Sequence, residues 1–108
     1  MNLLDFIEYL TNPHKLEGFY RAQGINNETE ILIIYLVGSL NLESAVKLFG
    51  IEETGGLTHF QQDTIDYVSL LGVDEAIELL TTDLTFQDKK VTNLDRANRL
   101  LEYAIYDA

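Results

Sequence analysis

The sequence predicts an all-α protein, a compact single domain (1–108) of about six or seven short helices. Three observations predict it. Residues that cap helices stand at Asn12, Asn27, Asn41, Thr58, Asp74 and Thr92, each followed by apolar residues at helical spacing. Gly24, Gly50 and Gly72 stand where such helices would stop. Sustained apolar–polar alternation, the mark of a half-buried strand, is scarce.

Leu3, Leu4, Phe6, Ile7 and Leu10 form a short amphipathic first helix. Asn12–Pro13 opens a second. Asn caps, and Pro suits the first helical position because the N–H it lacks has no helical partner there. Leu16, Phe19 and Tyr20 share a face of this helix, and Gly24 ends it. Asn27, with Glu28 and Glu30 behind it, precedes Ile31–Val37, a run apolar on every side. Its β-branched content leaves a buried strand as the alternative; the acidic cap favours a central helix.

Asn41 caps a helix over Leu42–Phe49, stopped by Gly50, and Thr54–Gly55–Gly56 reads as a turn. Thr58 and Gln61 have capping-box spacing, and Phe60, Ile65, Val68 and Leu71 continue at helical intervals to Gly72. Asp74 caps Glu75–Leu80, with Ile77 and Leu80 inward. Asp83–Thr92 has no clear pattern and reads as an irregular loop. Thr92 with Asp95 starts the last helix, with Leu94, Ala97, Leu101 and Ala104 or Ile105 as its apolar stripe.

Composition removes whole classes of function. At 108 residues the chain has the length of one domain. A 46% hydrophobic content is too high for a disordered chain. The absence of Cys excludes disulfide scaffolds, thiolate zinc sites, iron–sulfur clusters and thiol nucleophiles. Met1–Leu10 has no basic segment and carries Asp5 and Glu8, so no secretory signal is expected; the longest apolar run, Ile31–Val37, is too short to span a bilayer. Ala104–Ala108 matches no lipidation signal, and a cytoplasmic location is the expectation.

No motif declares a chemistry. His59 and Asp63 stand four apart, and with Asp66 or Glu52–Glu53 they could approach a metal, but the other histidine, His14, is distant. A surface His–carboxylate pair is the simpler expectation, and no metal or other cofactor is assigned. Close carboxylate pairs such as Asp63/Asp66 and Asp74/Glu78 arise by chance among eighteen acids. Nothing sets one of them apart as a general acid. Ser39, Ser44 and Ser69 lie in no nucleophile elbow, and Gly55–Gly56 is followed by no Gly-Lys-Ser/Thr. No catalytic residue is assigned, and the chain is not expected to be an enzyme.

Residues 43–60, ESAVKLFGIEETGGLTHF, resemble a phage-repressor-type helix-turn-helix through Ala45, Val46, Phe49, Gly50 and Ile51. Glu52 and Glu53 would open its recognition helix, where phosphates would repel them, and Gly55–Gly56 would break it. A plain helix–Gly–helix corner is the simpler reading.

The informative feature is charge. Seven Lys and Arg face eighteen Asp and Glu, a formal net charge of −11, which argues against direct nucleic-acid binding. Between Lys47 and Lys89 there is no Lys or Arg, while Glu52, Glu53, Asp63, Asp66, Asp74, Glu75, Glu78, Asp83 and Asp88 all fall there. An unbroken acidic stretch of this kind suits a docking surface for a basic protein. In general character the chain is similar to small acidic helical immunity proteins. That similarity implies an inhibitor covering the positive groove of a basic partner such as a nuclease toxin. Glu52, Glu53, Asp63, Asp66, Asp74, Glu75 and Glu78 would carry recognition, with Tyr67 and Tyr103 as anchors. Two alternatives stand beside it: a DNA mimic or regulator that binds a DNA-binding protein, and a degenerate helix-turn-helix regulator.

Overall fold

The computed structural model describes residues 1–25, 31–82 and 91–107. The Asn27 cap, with Glu28 and Glu30, and the acids Asp83 and Asp88 lie outside the described residues. The order of elements is α1 (Leu3–Leu10), α2 (Pro13–Gln23), β1 (Leu32–Val37), β2 (Val46–Gly50), the one-turn α3 (Ile51–Thr54), β3 (His59–Gln62), β4 (Ile65–Gly72), α4 (Val73–Thr82) and α5 (Asn93–Glu102), which runs into a π-helical turn at Tyr103–Asp107. The chain is therefore mixed α/β and not an all-α bundle: its centre is a four-stranded sheet of order β2-β1-β4-β3, antiparallel throughout.

The helices at both ends form for the reasons their sequence states. The Asn12 side chain accepts hydrogen bonds from the His14 and Lys15 backbone at 3.1 and 3.3 Å, Pro13 takes the first turn, and Gly24 closes α2 at φ 66°. Thr92 and Asp95 bond reciprocally at the start of α5, the Asp95 carboxylate accepting from the Thr92 N–H at 3.0 Å. Those bonds hold the Asp95 carboxyl below its ordinary value. Along α5 the buried stripe is Ala97 and Leu100, while Leu94 is 46% exposed.

The centre departs from the expected helices. The apolar run expected as a helix supplies β1 from Leu32 to Val37, and its β-branched and apolar residues are packed on both faces of the sheet. The expected helix over Leu42–Phe49 is a turn followed by β2, and Gly50 is extended at φ −70°. Thr58 and Gln61 form no capping box, since Phe60 and Gln61 belong to β3, and Ile65, Val68 and Leu71 belong to β4. The Phe60–Ile65 interval spans the β3–β4 turn, Ile65 and Val68 lie on opposite faces of β4, and the step from Val68 to Leu71 contains a bulge. Ile34 pairs with Leu71 but Tyr35 pairs with Ser69, so Leu70 is an extra residue in β4. Leu70 and Leu71 both join the core of one face, which destroys the alternation. The helix-turn-helix reading of residues 43–60 falls too: its first helix is the strand β2, and its second is the single turn α3, which Gly55 ends before β3 begins at His59.

One face of the sheet carries the main core. Leu32, Ile34, Leu36, Leu48 and Leu71 meet Leu3, Phe6 and Ile7 of α1, Val73, Ala76 and Leu80 of α4, and Leu100 of α5. On the other face Tyr35, Phe49 and Tyr67 cluster with the half-buried Ile33, Val37 and Phe60. No helix among the described residues is long and apolar enough to cross a membrane.

Candidate functional site

The residues expected to recognise a partner separate into three groups. Glu52 and Glu53 lie on α3, on the Tyr35 side of the sheet, because the Tyr35 hydroxyl donates to Leu57 O at 2.6 Å and lies 3.0 Å from Thr54 Oγ1. Glu53 is partly used for structure, its carboxylate accepting the Gly50 N–H at 3.3 Å. Asp63 forms the tight β3–β4 turn with Thr64, both at positive φ, and Asp66 follows on β4 opposite Gln61. Asp74, Glu75 and Glu78 lie on α4, exposed, on the other side of the sheet.

The helical period of α4 divides its surface. Val73, Ala76 and Leu80 are buried in the core. Glu75, Glu78, Leu79 and Thr82 recur at steps of 3, 1 and 3 and share another face. With Tyr103 of the π turn they line an open cavity of about 280 Å³. Glu75 also borders a second cavity of about 240 Å³, beside Tyr35 and Ser69 of the sheet, whose walls include Ile31, Ile33, Ile51 and Leu57. Ile31 and Leu57 there are 62% and 55% exposed. A continuous surface therefore runs from an apolar patch across Glu75 to Glu78 and the half-buried Tyr103.

Among the described residues the acids of this surface have no ion-pair partners. The ion pairs between described residues are Lys15–Glu8, Arg21–Glu17 and Arg99–Glu102. Neither Glu75 nor Glu78 takes part in one. Of the two expected anchors, only Tyr103 borders the acidic surface. Tyr67 is buried between Phe49 and Phe60, with ring centroids 5.1 Å from each, and serves the core. Leu79, Thr82 and the Ile31–Ile51–Leu57 patch were not singled out by their sequence. The spacing 75, 78, 79, 82 held the signal for the first two; the patch joins residues of three separate segments and left no local trace.

His59 on β3 and Asp63 in the turn share no helical face, and no group of three potential metal ligands occurs among the described residues. What the surface offers is unpaired negative charge beside exposed apolar and aromatic side chains, the composition of a protein-docking patch. Comparison with protein-family models, with curated proteins and with solved structures finds no match to this chain.

Proposed function

We propose that this chain is an acidic protein-binding module that inhibits a basic partner, such as a nuclease toxin, by covering its positive groove. The observation that supports this reading is the unpaired state of Glu75 and Glu78 beside Tyr103, next to the exposed Ile31, Ile51 and Leu57. Carboxylates already bonded within the chain would have to lose those bonds on docking; these two do not. Opposite charge steers the encounter and selects the partner, while the apolar and Tyr side chains hold the complex once water is expelled.

The test is retention of basic proteins on the immobilised chain at about 50 mM and about 500 mM salt, since ionic strength screens exposed charge pairs. A single basic protein held at low salt and released at high salt is the expected result. If it is a nuclease, mixing with this chain lowers its activity. A partner that is neutral or acidic and indifferent to salt contradicts the reading.

A further inference from the structure

A third cavity, of about 360 Å³, lies where α1, α2 and α4 meet and shares no residue with the Glu75–Glu78 cavity. It is half open to solvent, and its volume is that of a small-ligand site. Leu10, Leu16 and Ile77 give it apolar walls, and its polar groups are Tyr20, Asp74 and Glu17. No Lys, Arg or His lines it.

These polar groups are not equivalent. Glu17 is already engaged by Arg21, with Nη2 and Oε1 2.7 Å apart. Asp74 has no ion pair and accepts no side-chain hydrogen bond among the described residues. The Tyr20 residue is only 7% exposed, but its hydroxyl is not among the enclosed unpartnered atoms and opens onto the cavity, with no hydrogen bond to the described residues. Burial, and after it the Asp74 charge, push the Tyr20 phenol up to about 12, so it keeps its proton at neutral pH. Asp74 and Tyr20 are thus close enough to interact through space and are not joined by a hydrogen bond.

We infer that this cavity binds an aliphatic cation, an alkylguanidinium or alkylammonium group, with its stem against Leu10, Leu16 and Ile77 and its charged head between the Asp74 carboxylate and the Tyr20 oxygen. Both polar groups can accept hydrogen bonds, and a cation with several N–H donors can satisfy both at once. An anion meets Asp74 and is repelled. A divalent metal finds one free carboxylate where it needs several oxygen ligands. A small hydrated ion gains nothing from the apolar walls, which an alkyl stem covers. The same chemistry is carried by a free amine and by an Arg or Lys side chain on another protein.

The test is an NMR titration of the full chain with n-butylguanidinium, with its uncharged analogue n-butylurea, and with a capped Gly-Arg-Gly peptide. Butylguanidinium is expected to shift Leu16, Tyr20 and Ile77 saturably and to bind at least about tenfold more tightly than butylurea. Asp74→Asn should weaken it by about tenfold, and Tyr20→Phe, which keeps the ring packing, by a smaller factor. Glu78→Gln, on the same helix but outside the cavity, should leave the affinity unchanged. Equal binding of the peptide assigns the site to a protein side chain, and binding of the free cation alone assigns it to a small amine. No saturable shift at these residues, equal binding of butylurea, or an equal loss in Glu78→Gln overturns the inference. None of these outcomes depends on whether Glu75 and Glu78 dock a partner.

Discussion

The two faces of the sheet are finished in different ways. The helix-covered face is aliphatic and sealed: Ile34, Leu36, Phe6, Ile7 and Leu100 have no exposed surface. The other face is aromatic and only partly covered. Four rings, Tyr35, Phe49, Phe60 and Tyr67, pack largely edge to face with centroids 5.0–5.6 Å apart. The Tyr35 hydroxyl, donating to Leu57 O and bonded to Thr54 Oγ1, ties the α3 turn over them. Large rings let a single layer of side chains bury itself without a second layer of helices. At its edge stand the exposed apolar residues Ile31, Ile51 and Leu57. Stability is concentrated on one face, and the surface available for recognition begins where the covering of the other stops.

The contrast can be broken by mutation. Phe6→Ala empties a fully enclosed position on the sealed face, and denaturant unfolding should register a loss of about 3–5 kcal/mol. Phe60→Ala, at a half-buried ring on the aromatic face, should cost less than half as much; equal losses would mean that the two faces are sealed alike. Tyr35→Phe keeps the ring but removes the tie to α3. Because Leu57 O loses this donor while Thr54 Oγ1 keeps only the Gly56 N–H, a loss of about 1–3 kcal/mol is expected, with faster amide exchange confined to residues 51–57.

Two smaller effects sharpen the picture away from the sheet core. Thr92→Ala should destabilise by about 1 kcal/mol at neutral pH through loss of the α5 cap. Asp95 titrates below its ordinary 3.8 in the folded chain, so its contribution is complete above that pH and is lost as the pH falls through the folded value. An acid series of unfolding curves should therefore show the gap between wild type and Asp95→Asn closing below about pH 4. Thr64 is a β-branched residue at φ 66° in a two-residue hairpin turn. Thr64→Gly should stabilise by up to about 1 kcal/mol, readable as a rise in the unfolding midpoint.

The ends of the chain were legible because a cap is local. Asn12–Pro13, Gly24 and Thr92–Asp95 sit within a few residues of the bonds they make. The sheet was not legible, because strand pairing joins distant segments and leaves only alternation behind. In β1 both faces are buried, so Ile33 and Tyr35 are as apolar as Ile34 and Leu36. In β4 the extra Leu70 shifts the alternation by one residue. Around β2 the apolar Leu42, Ala45, Val46 and Phe49 recur at the steps of a helix face, and only the pairing with β1 reveals a strand. The acidic character of the surface needed no fold to be seen. Its division between α3, the β3–β4 turn and α4 did, since residues close in sequence came to lie on opposite sides of the sheet.

Charge reversal on the two sides of the sheet tests the proposed docking surface most directly. The measurement compares the affinity of the retained basic protein for the wild type, for Glu75→Lys/Glu78→Lys and for Glu52→Lys/Glu53→Lys, at equal net charge in the two variants. The account predicts that the α4 pair loses at least about 3 kcal/mol of binding, against less than about 1 for the α3 pair. Equal losses would mean that overall charge, and not this surface, attracts the partner; a larger loss for the α3 pair would centre recognition on α3 and contradict the role given to Glu75 and Glu78.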